Sequence, residues 1–170
     1  MTGMLAAVMA VMSQIQFPLP SGVPVTMQTF AMALAGYILG WKYGLASTAV
    51  YILLGAVGVP VFAGFSGGLS FAVSPAGGYI WGFLPMVALC GLGYEKRTMP
   101  ALIGLSVAGL ACCHILGVIQ LAIVTGLGPW AAFLAGSAPY LVKDLVSMAA
   151  AFAVAKAVRR ALAGAGAQMA

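Results

Sequence analysis

Ser137–Arg160, SAPYLVKDLVSMAAAFAVAKAVRR, is the stretch on which the reading of this chain turns. It reads as one long apolar helix with a Lys143–Asp144 pair near its front end and basic residues at its tail. An ionisable residue inside a membrane span costs about 2.5–3.5 kcal/mol on insertion scales, so it persists mainly where pairing or function needs it. Asp144 is the one acid within the apolar runs, and a solute site is expected to form around it.

The rest of the 170 residues sets the solvent. Hydrophobic residues make up 64% and charged residues 5%, with a mean hydropathy of +1.13. Soluble domains carry roughly 25% charged residues, so the composition specifies an all-α integral membrane protein, a single domain over 1–170. The net charge of +5 does not point to nucleic acid, because the basic residues sit in short links between apolar runs, where they act as orientation signals. Cys90, Cys112 and Cys113 lack metal-ligand spacing and read as small packing residues. Two acids and one histidine cannot build a metal centre, and the dipeptide Gly-Lys of a phosphate-binding loop never occurs. No catalytic set assembles and no cofactor is implied, so the chain reads as a non-enzyme. The region before the first apolar run lacks Lys and Arg, so no cleavable signal peptide is expected.

Six apolar runs separate on charge, Pro and Gly, over 2–17, 26–40, 44–59, 78–94, 100–125 and 136–158. They predict a six-transmembrane-helix bundle, although the first three fall short of roughly 17 residues, the lower limit for a span. Six of the seven basic residues fall on one side of this arrangement (Lys42, Lys96, Arg97, Lys156, Arg159 and Arg160), and none in the opposite loops. The positive-inside rule then places both termini in the cytoplasm. The seventh, Lys143, lies inside the last span. Among the outer loops, Gln16–Thr26 carries Pro18, Pro20 and Pro24 and is expected to be stiff. The loop from Val59 to Gly78 is apolar yet broken by five glycines and Pro75. Irregular backbone near a membrane must be buried in protein or line a cavity, so this Gly-rich loop is expected to act as a lid.

On the last helix Tyr140, Asp144, Ser147 and Ala151 fall on one face, with Lys143 at its border. They outline a pocket, the alternative being a buried ion pair that joins two helices. Tyr79, after Gly77–Gly78, is the best aromatic wall; Tyr37, Tyr51 and Trp81 suit an interface belt. His114 reads as a packed or pocket-lining imidazole. Ala6 with Ala10, Gly104 with Ala108 and Ala149 with Ala153 form small-xxx-small pairs that let helices approach closely. The first pair is also a candidate face for a partner subunit.

The order of motifs resembles the BioY family. Pro24–Phe30 (PVTMQTF), Ala35–Gly36, Gly55–Phe62 (GAVGVPVF), Ser66–Gly68, Pro75–Tyr79 (PAGGY), Pro139–Tyr140 and Asp144 carry the resemblance across nearly the whole chain. It implies the biotin-specific substrate-binding component of an energy-coupling factor transporter, with six helices, in a bacterial cell membrane. It also implies partners: a transmembrane coupling subunit and two ATPase subunits, with the first helix near Ala6 and Ala10 as the docking face. One departure stands out. The family pattern near the last helix is Pro-Phe/Tyr-x-x-Gly-Asp-x-x-Lys; here Lys143 occupies the Gly position and Ser147 the Lys position. For biotin, the resemblance implies that Asp144 accepts a ureido N–H and that Ser147 or Tyr140 donates to the ureido carbonyl. Phe62, Phe65 and Tyr79 would wall the thiophane ring, and Lys143 would neutralise the valerate carboxylate or Asp144. Gln28 and Thr26 would add polar contacts at the outer edge of the second span. Three alternatives stay open at this stage: another small vitamin, a stand-alone homo-oligomeric facilitator, and a scaffold without ligand.

Overall fold

A computed structural model describes residues 1–17 and 23–168, so Pro18 and Pro20 of the stiff outer loop lie outside the described residues. The helices are α1 (Thr2–Gln14), α2 (Gln28–Ala56), α3 (Gly77–Glu95), α4 (Met99–Thr125), α5 (Pro129–Gly136) and α6 (Ala138–Gln168). Two-residue strands β1 (Gln16–Phe17) and β2 (Val25–Thr26) pair antiparallel between α1 and α2. Of these helices α3 and α4 are long and apolar enough to cross a membrane, and α2 reaches that length only if its 29 residues are taken as one continuous helix.

Continuity in α2 is only nominal. Gly40 has φ 77° and ψ −179°, a left-handed backbone that glycine alone enters freely. Gln28 Nε2 donates to Tyr51 Oη at 2.8 Å across 23 positions, which a straight helix would hold about 34 Å apart. The chain therefore doubles back at Gly40, and α2 supplies two antiparallel rods, 28–39 and 41–56. These match the separate runs 26–40 and 44–59 read from the sequence. With α1, α3, α4 and α6 they complete a bundle of six rods. The break leaves helix-end groups to be satisfied, and two charged side chains do so. Glu95 accepts from Trp41 N–H at 3.1 Å, at the start of the second rod. Arg159 Nε donates to Ile38 C=O at 3.0 Å, at the end of the first. Acid at a helix start and base at a helix end is the favourable sense for the helix dipole.

Close helix approach comes from glycines, but not at the positions the sequence suggested. On α3, Gly78 and Gly82 face α4; a Cβ on Gly82 would sit 2.7 Å from Cys113 Cα, and one on Gly78 2.2 Å from Leu116 O. Gly109, Cys113 and Gly117 form the matching row on α4, with Gly109 against Met86 and Gly117 against the Tyr79 ring. Small side chains in register let two antiparallel helices meet backbone to backbone in lipid. Gly104–Ala108 and Ala149–Ala153 instead lie on exposed faces, so they hold no helix pair. Tyr37 and Tyr51 are core residues rather than belt aromatics, at 2% and 0% exposure.

At the lower end of α1 a second expectation fails. Ala6 is 3% exposed within the hydrophobic core and Ala10 packs against it, so this pair faces the bundle and offers no docking surface. The outward side of α1 carries Gly3, Ala7 and Val11 instead.

The α3–α4 zipper gives a paired test. Gly82→Val is expected to destabilise the purified protein by about 1–3 kcal/mol or more, because the row opposite is backbone and cannot yield. Gly104→Val, with open space around it, is expected to leave the melting temperature in detergent unchanged.

Candidate functional site

The upper end of the bundle, where α3 begins and α4 ends, encloses a cavity of about 360 Å³. That falls within the roughly 300–1,000 Å³ of small-molecule sites. Its walls come from the β2 region, the first rod of α2, the 57–76 loop, α3, α4 and α6.

Much of the wall is the Gly-rich loop. Two 3₁₀ turns, Ala63–Phe65 and Leu69–Val73, fold it back over the opening, and Phe62 and Ser66 pair across the first. Phe62 (2% exposed) and Phe71 (7%) turn inward, with ring centroids 4.8 Å apart. Phe65, expected as a wall, points out at 72% exposure and is absent from the cavity lining. Side chains from the helices hold the loop. Ser13 Oγ donates to Val61 C=O, and Gln14 Nε2 donates to Phe62 C=O while its Oε1 accepts from Phe65 N–H. On the far side Gln120 Nε2 donates to Ala72 C=O at 2.7 Å and Ser74 C=O at 2.9 Å. The loop is thus pinned at both ends to α1 and α4.

The polar end of the cavity is built on α6. Tyr140, Asp144, Ser147 and Ala151 are all buried, as their common face requires, yet only Tyr140 and Asp144 line the cavity. Ser147 sits one turn too deep, so a ligand contact from Ser147 is withdrawn. The Tyr140 hydroxyl donates to Val23 C=O at 2.5 Å, so its proton is spent on the wall rather than offered to a ligand. Asp144 is 4% exposed and bridges two cations or donors. Its Oδ2 lies 3.2 Å from His114 Nε2, and its Oδ1 forms an ion pair with Lys143 Nζ. That contact is poorly aligned as a hydrogen bond, and Oδ1 is fully buried. Lys143 Nζ also donates to Thr26 C=O at 2.7 Å, which ties α6 to β2.

The Lys143–Asp144 contact lies within one helix, so it cannot by itself join two. His114 makes the inter-helix link. Its Nδ1 lies 2.8 Å from Ser137 Oγ, so both ring nitrogens are engaged. A carboxylate can only accept, which puts a proton on Nε2, and Nδ1 and the Ser137 hydroxyl share the second hydrogen bond. Tyr79 stacks edge-on to His114, with centroids 6.0 Å apart, and donates to Gly136 C=O at 2.5 Å. Thr26 and Gln28 line the cavity but are paired with each other, Thr26 Oγ1 donating to Gln28 Oε1 at 2.9 Å. His114, read from the sequence as a packed or pocket-lining imidazole, does line the cavity, whereas the supporting roles of Ser137 and Gln120 were missed. A lone histidine in an apolar span was the available signal, but its acid lies 30 positions away on another helix.

A bundle of apolar helices with an enclosed, mixed apolar and charged cavity at one end defines a membrane protein built to hold a small solute. The chain belongs to the BioY family, whose family model matches residues 1–164. It is 42% identical over 135 residues to the probable biotin transporter BioY of Pyrococcus horikoshii, covering 79% of each chain. It is 43% identical over 120 residues to the biotin transporter BioY of Thermotoga maritima, covering 70% of each. The fold matches the crystal structure of the S-component for biotin from an ECF-type ABC transporter, with a TM-score of 0.84 and 22% identity. That match covers 94% of this chain and 88% of the other. Membership in a family of transporters agrees with the reading of the chain as a non-enzyme.

Replacing His114 by Phe keeps a ring but leaves buried Ser137 and Asp144 Oδ2 without their partner. A loss of about 1–3 kcal/mol is expected, read as a lower melting temperature in detergent. An unchanged melting temperature would show that the imidazole contacts carry no weight.

Proposed function

We propose that this chain is the biotin-binding membrane subunit of an energy-coupling factor transporter, taking biotin from outside the cell. The observation that carries this reading is Asp144, a carboxylate buried in the cavity wall and held between Lys143 and His114. A carboxylate has about four acceptor sites, so a ureido N–H can add to these contacts, and a hydrogen bond to a carboxylate contributes about 1.5–3 kcal/mol. Lys143 has three N–H donors; Asp144 and Thr26 C=O occupy two, which leaves one for the ligand's carboxylate. Phe62, Phe71 and Tyr79 supply apolar and aromatic wall for the thiophane ring and valerate chain. In this arrangement Lys143 serves both charges, which offsets the absence of a lysine at position 147.

The six rods cross the cell membrane with both termini in the cytoplasm. The reading is supported by the basic residues at the lower end, around Lys42, Lys96–Arg97 and Lys156–Arg160, opposite the cavity. The short rods 28–39 and 41–56 reach only about 18 and 24 Å, so the bilayer thins around them or loops complete the crossing. Energy comes from partners, a coupling subunit and two ATPases, since the chain has no phosphate-binding loop.

Equilibrium binding of biotin to the purified chain tests this directly. Asp144→Asn is expected to weaken binding by about 10- to 150-fold, the range that a charge-assisted hydrogen bond spans. Full affinity in the variant, with an unchanged melting temperature, would remove Asp144 from the site. Preference for a different vitamin in competition would reassign the ligand.

A further inference from the structure

A second cavity, of about 500 Å³, opens at the lower end of the bundle between the α3–α4 link and the last turns of α6. Arg97, Lys156 and Arg160 stand on its rim, exposed and in no ion pair among the described residues. Neither acid of the chain answers them. Glu95 caps Trp41 N–H, and Asp144 belongs to the opposite end. Arg159 also borders the cavity but is already committed, to Ile38 C=O and to the Tyr94 ring at 4.5 Å.

Three further features converge there. Arg97 has φ 55°, in the left-handed region that glycine or asparagine enters far more easily than arginine. The sharp α3–α4 link requires that backbone, and it holds a guanidinium where glycine would be less strained. The start of α4 reaches the same cavity through Thr98 and Met99, so the partial positive charge of a long helix adds to the three cations. Deeper in, the walls turn apolar at Leu102 and Phe152. Orientation of the protein needs cations in the links, but it does not need them gathered around one amphipathic cleft.

We propose that this cleft binds an anionic phospholipid, its phosphate between Arg97, Lys156 and Arg160 and an acyl chain along Leu102 and Phe152. Uncompensated charge at the rim matches a phosphodiester, and the apolar floor matches what a soluble anion lacks. A basic pocket between helices at the membrane surface is a recognised setting for such headgroups. The site is independent of the upper cavity, so its test does not depend on biotin.

Native mass spectrometry of the purified full chain, titrated with phosphatidylglycerol, phosphatidylcholine or inorganic phosphate, reads the outcome. One saturable phosphatidylglycerol per chain is expected, with weaker binding of phosphatidylcholine and none of phosphate at equal concentration. Arg97→Gly relieves the backbone while removing the charge. It is expected to weaken phosphatidylglycerol binding about fivefold, the effect of one cation near the surface, with no fall in lipid-free melting temperature. Lys156→Gln with Arg160→Gln is expected to weaken it further. Equal binding of both lipids, or variants that bind like the parent, overturns the proposal and leaves the cations to orientation or to an acidic protein segment. Saturation by phosphate alone overturns it in favour of a soluble anion.

Discussion

Asp144 is held between Lys143 and His114 at the polar end of an apolar cavity, and the upper half of the bundle is arranged around that contact. A buried ion pair is a poor source of stability, because desolvating two charges offsets most of their attraction. On the proposed reading, its role is to hold a carboxylate in place for a ligand. Oδ2 is fixed by His114 and, through it, by Ser137, while Oδ1 is held by Lys143. A carboxylate oriented in advance loses little freedom when a ligand N–H arrives, which is how a small site reaches high affinity.

The rest of the fold supplies the walls. The glycine rows on α3 and α4 bring the two helices close enough for Tyr79 to lie against Gly117 and reach Gly136 C=O. Gln14 and Gln120 then convert an apolar loop into a cover by satisfying carbonyls that would otherwise be stranded. Each of those bonds is modest alone, about 0.5–1.5 kcal/mol.

Much of this was legible in the residues. Apolar runs separated by Gly, Pro and Lys gave the order of the rods, because lipid demands a helix wherever the chain stays apolar. The face bearing Tyr140 and Asp144 followed from helical periodicity. What sequence could not supply were contacts between distant positions. The sharp reversal at Gly40 needed Glu95 and Arg159 from two other helices, and His114 needed an acid from α6. Periodicity also cannot say which small residues face a neighbour. It offered Ala6–Ala10, Gly104–Ala108 and Ala149–Ala153, whereas the close contacts fall at Gly78, Gly82 and Gly109. Ser147 shares the right face, but depth along the helix decides which residues meet the cavity.

The measurement that bears most directly on this account is a structure of the chain solved with biotin bound. The account predicts ureido density within hydrogen-bonding distance of Asp144 Oδ1, the thiophane ring against Phe62 and Tyr79, and His114 still joined to Oδ2. Biotin lodged elsewhere, or Asp144 contacting only Lys143 and His114 in the occupied protein, would contradict it.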